Sequence, residues 1–143
     1  MDKTTRVING TFGELWLNGE QVGECYGLQL KMSFNKEDVP VCGNMFVDTK
    51  VTSVKGTGTV KLHKVNSRMP IAVGDNIVNG HDKRFVIVSK LKDPDAYGAE
   101  RVSVSNVSFD DVTLADWEAA KKGMVECPLT FASKPVWLDR IGA

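Results

Sequence analysis

The sequence is poor in the side chains that most often carry chemistry. It holds two histidines, His63 and His81, and three cysteines, Cys25, Cys42 and Cys127, with no CxxC pair among them. An odd and scattered cysteine set points to free thiols in a reducing compartment rather than to a disulfide framework. No stretch approaches the ~20 consecutive apolar residues of a membrane-spanning helix. The opening MDKTTRVING lacks an apolar core, so no secretory signal is expected. Net charge is missing too, since eighteen Lys plus Arg balance eighteen Asp plus Glu. No positive field draws such a chain onto nucleic acid or an anionic membrane, and no self-repulsion keeps its copies apart.

Motifs with a built-in chemistry are equally scarce. Asp93, Asp95, Gly98 and Glu100 begin like a calcium loop, but Tyr97 stands at its fifth position. Val104 stands where the bidentate Glu of the twelfth position belongs. The glycines of Lys55-Gly56-Thr57-Gly58-Thr59 lie inside a strand pattern, not between a strand and a helix. Amide groups cannot converge on a phosphate there. Such glycines instead let another backbone or a bulky side chain approach closely. Neither histidine has carboxylate or cysteine spacing that makes a metal site, and a Cys-His pair could arise only through folding. The expectation is no catalytic residue, no cofactor and no metal.

What the sequence does have is alternation. Tyr26, Leu28, Leu30, Met32 and Phe34 alternate with Gly27, Gln29, Lys31, Ser33 and Asn35. From Val51 to His63, Thr52, Val54, Gly56, Gly58, Val60 and Leu62 alternate with Ser53, Lys55, Thr57, Thr59, Lys61 and His63. Period two with one apolar and one polar face defines two β-strands. At ~3.3 Å per residue they run roughly 30 Å and 43 Å, against a diameter of about 37 Å for a compact domain of this size. Strands this long cross the domain or project from it, and their edges call for a partner. The connection between them, Lys36 to Lys50, turns at Pro40 and carries Val41, Asn44, Met45, Phe46 and Val47. A connection of that length with an apolar cluster either folds back on its own core or packs on another surface.

The remainder reads as one domain over residues 1–143, with residues 1–10 mobile. Asn18-Gly19 supplies a type I′ turn between Thr11 to Leu17 and a return strand beginning at Val22. Met69, Ala72, Val73 and Ile77 make a helical stripe, giving one helix over Arg68 to Val78, capped by Ser67 and ended by Asn79-Gly80. Arg84 to Leu91 and Glu100 to Val107 are antiparallel strands around a turn at Asp93 to Gly98, and Phe109 to Leu114 continues extended. Leu114 to Lys122 is a short helix or a loop. Met124 to Phe131 is a last strand, with Val125, Cys127, Leu129 and Phe131 on one face. The tail keeps Val136, Trp137, Leu138 and Ile141 for docking. Most aromatic residues fall on apolar faces as core or interface anchors. The fold class is mainly β: an antiparallel barrel or sandwich of about eight strands with one short helix.

The runs GTGTVKLHKVNSRM (Gly56 to Met69), GAERVSVSNVSFDDVTLADW (Gly98 to Trp117) and GMVECPLTF (Gly123 to Phe131), with the Asn18-Gly19 hairpin, resemble the tail tube proteins of contractile phage tails and PBSX-type particles. The resemblance covers nearly the whole chain. It implies a structural, non-enzymatic subunit that forms homohexameric rings, stacked into a hollow tube inside a contractile sheath. Strands of neighbouring copies would join into one barrel, and Gln29, Lys31, Ser33, Asn35, Ser53, Lys55, Thr57, Thr59 and Lys61 would face the lumen. A conduit that passes DNA should not grip it, so Lys31, Lys55 and Lys61 call for acidic neighbours. Val41, Asn44, Met45, Phe46 and Val47 would reach the next ring. The implied partners are further copies of the chain, the sheath protein, the baseplate or tube initiator and the tape-measure protein, with DNA only in transit. The implied location is the tail of a virion or phage-like particle, after synthesis in the bacterial cytoplasm. Two other readings stay open: a type VI secretion tube, and a small barrel that binds single-stranded nucleic acid.

Overall fold

The computed structural model describes residues 10–65, 67, 69–92 and 98–139. The expectations placed on residues 1–9, Arg68, Ile141 and all but the last residue of the Asp93 to Gly98 turn lie outside these residues. Eight strands form one antiparallel sheet: β1 (Gly13–Leu17), β2 (Glu20–Gln21), β3 (Cys25–Val39), β4 (Asp48–His63), β5 (Phe85–Leu91), β6 (Glu100–Phe109), β7 (Met124–Phe131) and β8 (Val136–Asp139). Their order is β2-β1-β5-β6-β7-β4-β3, with β8 joined to β6 off that path. The sheet is curled but open: β2 and β3 end the strand path, and β8 forms a further edge beside β6. The mainly-β reading holds.

Local chemistry fixes each turn. Asn18 (φ 51°) and Gly19 (φ 86°) adopt the paired positive angles of a type I′ hairpin. Asn18 is also tied across the sheet: its N–H donates to the Val86 carbonyl at 2.9 Å, and its Oδ1 accepts the Val86 N–H at 2.8 Å. Alternation then sends Leu15, Phe85, Ile87, Val125, Cys127, Leu129 and Phe131 inward, and a bulge between Val104 and Val107 brings both of these to the same side. Each large apolar side chain so buried contributes about 1.5–3 kcal/mol. Phe85 and Phe109 meet edge to face at 5.3 Å.

The helix is shorter and wider than its sequence pattern implies. Pro70–Asp75 is π-helical and Asn76–Val78 adds one α turn, closed by Gly80 at φ 86°. Ser67 does not cap it through its hydroxyl; its carbonyl accepts the Ile71 N–H at 3.2 Å. A wider turn advances each residue through a smaller angle than in an α-helix, so the stripe drifts. Met69 and Val73 are buried, whereas Ile77 faces out. Residues 110–123 form turns and loop, not a helix, and the strand before them stops at Phe109.

The two long strands exceed the sequence estimate. β3 has 15 residues and β4 has 16, each about 50 Å long. The supposed Lys36 to Lys50 connection is therefore mostly strand: Lys36 pairs with Val51, Glu37 with Lys50, Asp38 with Thr49 and Val39 with Asp48. Only residues 40–47 form the loop. Two bulges interrupt the ladder, leaving Tyr26 and Thr52 as the extra residues. Tyr26 thus leaves the inward face, becomes exposed and stacks on His63 at 4.5 Å.

The strand glycines do admit close neighbours. A Cβ at Gly56 would strike the Phe131 ring, and one at Gly58 would strike the Gln29 carbonyl oxygen and lie 2.8 Å from Leu30 Cδ2. Gly58→Ala is expected to cost about 2–3 kcal/mol, because backbone must move to admit the methyl group. Gly74→Ala, which meets nothing within 4 Å, should instead be neutral or stabilise by up to ~1 kcal/mol. Denaturant midpoints of the two variants check the pair, and equal losses would refute the close-approach account.

Candidate functional site

The feature that stands apart is the free half of the β3–β4 hairpin. β7 pairs with β4 only along residues 56–63, so residues 48–55 of β4 have β3 as their one partner among the described residues. β3 is itself an edge strand. Residues 31–39 and 48–55 are exposed throughout. Half of the hairpin therefore leaves the core with both edges bare and both faces wet.

Register places all nine polar residues singled out in the sequence on one face. Gln29 lies opposite Thr59, Lys31 opposite Thr57, Ser33 opposite Lys55 and Asn35 opposite Ser53. Asn35 Nδ2 donates to Ser53 Oγ at 2.7 Å across the ladder. β7 widens this face, with Glu126 beside Lys61 and Thr130 beside Thr57, and Ser108 of β6 follows Thr130. The acidic neighbours that the three lysines call for are thus partly present. Glu126 faces Lys61, and past the bulge Glu37 faces Lys50 with Asp48 one step on. Lys31 and Lys55 have only hydroxyl and amide neighbours in their rows. Glu126 was legible in principle, because it alternates with the inward residues of its strand; its partner depended on register.

The opposite face of the free half is apolar. Met32, Phe34, Val51 and Val54 continue the row that begins with the core-packed Leu28 and Leu30, but Phe34 is 54% exposed and the others are similarly bare. It is a core face without a core. At the tip, Gly43 (φ 83°) and the Asn44 N–H, which donates to the Val41 carbonyl at 3.3 Å, make a type II turn. Asn44 Oδ1 then accepts the Phe46 N–H at 3.0 Å. This turn holds Met45 and Phe46 outward, 99% and 84% exposed. The sequence reading missed a second exposed apolar pair, Leu114 and Trp117 in the 110–123 loop. Val136, Trp137 and Leu138 dock as β8 along β6 yet stay half exposed, next to an Arg101–Asp139 ion pair at 3.3 Å.

Among the described residues, no three His, Cys, Asp or Glu side chains lie together as a metal site. The thiols also lack an activating setting. Burial pushes Cys127 up to about 11, with Asp111 adding to the rise and Lys64 opposing it. Burial likewise raises Cys25, with the Glu24 charge adding to the rise and a backbone hydrogen bond from Gly27 opposing it. What the arrangement does offer is bare strand edge and exposed apolar surface.

A curled antiparallel sheet with a projecting, doubly bare hairpin is what sets this fold apart. The chain belongs to the phage tail tube protein family, which it matches over residues 2–134. It is 30% identical over 131 residues to the phage-like element PBSX protein XkdM of Bacillus subtilis (strain 168), covering 90% of this chain and 89% of that one. It is as similar to the uncharacterized protein YqbM of the same organism, with the same coverage. Among solved structures it resembles a chain of the PVC extracellular contractile injection system sheath-tube complex in the extended state. That TM-score is 0.69 at 12% identity, over 96% of this chain and 97% of that one. A chain of the anti-feeding prophage tube-terminating cap matches with a TM-score of 0.68 at 14% identity, over 93% and 91%. The family is one of structural tube components, a non-enzymatic role.

The thiol environments give a direct check. With a maleimide and the dispersed native protein, exposed Cys42 should react first, half-buried Cys25 slowly, and Cys127 only after unfolding. Because the folded state holds the Cys127 proton from an ordinary value near 9 up to about 11, its contribution to stability is fully present below pH 9. That contribution falls as pH rises from 9 toward 11. Intact-mass spectra and denaturation at pH 8 and pH 10.5 test both, and rapid native labelling of Cys127 would contradict the buried placement.

Proposed function

We propose that this chain is the single-domain building block of a tail tube: it self-assembles into hexameric rings that stack into a hollow conduit inside a contractile sheath. The observation that carries this reading is the free half of the β3–β4 hairpin. Its bare edges need backbone partners, and its apolar face needs cover. Other copies supply both by strand addition. Because the edges on its two sides differ, the contact is heterologous, the kind that forms a ring where its rotation closes. Closure removes every free edge. The polar face, from Gln29 to Lys61, then lines the channel. Lys31, Lys50, Lys55 and Lys61 stand there against Glu37, Asp48 and Glu126, a nearly balanced wall that lets a polyanion slide.

Related folds were solved in a sheath-tube complex, a baseplate and a tube cap. The corresponding partners here are a sheath protein, a baseplate or tube initiator and a tape-measure protein, in the tail of a phage or phage-like particle made in the bacterial cytoplasm. Phe34→Lys tests the reading. Phe34 touches little in the lone subunit, so its stability should move by no more than about 0.5 kcal/mol. Assembly should nevertheless be lost. Wild-type protein is expected to show rings or tubes by negative-stain microscopy and a multimeric mass by light scattering. A wild-type monomer at high concentration that also forms no tube beside its particle partners would overturn the proposal.

A further inference from the structure

The hairpin tip is not the only bare apolar knob on the molecule. The second, Leu114 with Trp117, lies in the 110–123 loop, which is anchored toward the other end of β4. β4 leads from the tip at Asp48 to His63, some 50 Å away. Immediately beyond, the Lys64 N–H donates to the Gly123 carbonyl at 2.8 Å, pinning one end of the 110–123 loop there. The Asp110 N–H, donating to the Pro128 carbonyl at 2.9 Å, pins the other. Leu114 is 77% and Trp117 85% exposed, although the loop that carries them is anchored at both ends. Connections this long are uncommon in compact domains unless they serve a contact. An exposed Trp on an anchored loop is the residue type that most often anchors an interface.

We infer that these two ends are complementary: Met45 and Phe46 of one copy dock against Leu114 and Trp117 of the copy stacked on it. The inference rests on the tube reading and names the receptor of its inter-ring contact. Any tube of one subunit sets one end of each copy on the opposite end of another, an open head-to-tail contact that repeats without closing. The occupant of each apolar end is therefore a second copy of this chain. Burying the two knobs against each other removes the two most exposed aromatic side chains from water. Methionine, unbranched and polarizable, adapts to an aromatic face. Axial contact is thereby assigned to the loops, leaving the strand edges for contacts within a ring.

Cys42, exposed in the tip loop, supplies a native handle. Ala115→Cys places a thiol beside the receptor pair at an exposed site, so the fold and both docking side chains are retained. Assembled tubes of this variant, treated with a short bis-maleimide, should run as a ladder of covalent dimers and higher multimers. Adding Cys42→Ser should return the ladder to monomer. Trp117→Ala should shorten tubes at least about threefold while ring diameter stays unchanged. Tubes that assemble normally but give no Cys42-dependent ladder, or that keep their length without Trp117, overturn the docking while leaving the tube intact. An absence of rings and tubes in the wild type overturns both readings together.

Discussion

The architecture depends on one constraint: every backbone amide along a strand needs a partner, and two strands here outrun the neighbours that could supply them. β4 has strands on both sides only from residue 56 to residue 63, while residues 48–55 have β3 alone. Water satisfies those groups in a lone subunit at little cost in hydrogen bonding. It cannot cover Met32, Phe34, Val51 and Val54, which turn to the side that elsewhere faces the core. The unmet need is thus partly polar and partly apolar; on the proposed tube reading the first would set direction and register and the second would supply most of the driving force.

The folded half of the hairpin anchors the free half to the core. Gly56 and Gly58 let the Phe131 ring and the Gln29 backbone press on β4 where a side chain would hold them off. Around them Leu129, Cys127, Val107, Val104 and Ile87 are fully buried. The π-helical turn packs Met69 and Val73 onto the same core. Stability is concentrated at the root of the hairpin, and the surface offered for contact is concentrated at its tip. Local stability in folded domains tends to follow burial in this way.

Much of this was legible in the residues. Period-two alternation located β3, β4, β5, β6 and β7, and Asn18-Gly19 fixed the first turn, because each signal is local. Alternation also put nine polar residues on one face, and the observed register kept them there. The errors share a cause. Lys36 to Val39 and Asp48 to Lys50 carry too much charge to read as strand, and their pairing is set by the ladder they extend rather than by their own pattern. Tyr26 left the inward face because a bulge shifts parity, and Ile77 turned outward because a π turn shifts phase. Leu114 and Trp117 escaped notice since exposure belongs to the assembled fold. Pairing partners such as Lys61 with Glu126 depend on register between distant segments, which no single segment encodes.

A subunit with long bare edges and an apolar face risks joining wrong partners, and the free half of the hairpin carries the features that limit this. Charged residues stand at the tip end of both strands: Lys36, Glu37 and Asp38 on β3, and Asp48 and Lys50 on β4. Charge on an edge disfavours stacking with an arbitrary strand, yet it is tolerated where a specific neighbour places opposite charge beside it. The bulge at Thr52, whose hydroxyl donates to the Asn35 carbonyl at 3.2 Å, adds twist midway along the projecting part. A twisted edge accepts a partner of matching twist and refuses a flat one. On the tube reading, a copy of the same chain supplies the matching twist, and its alternating acidic and basic residues supply charges of both signs. The neutrality of the whole chain then acts in the same direction: with no net field to hold copies apart, specificity rests on these local features rather than on repulsion.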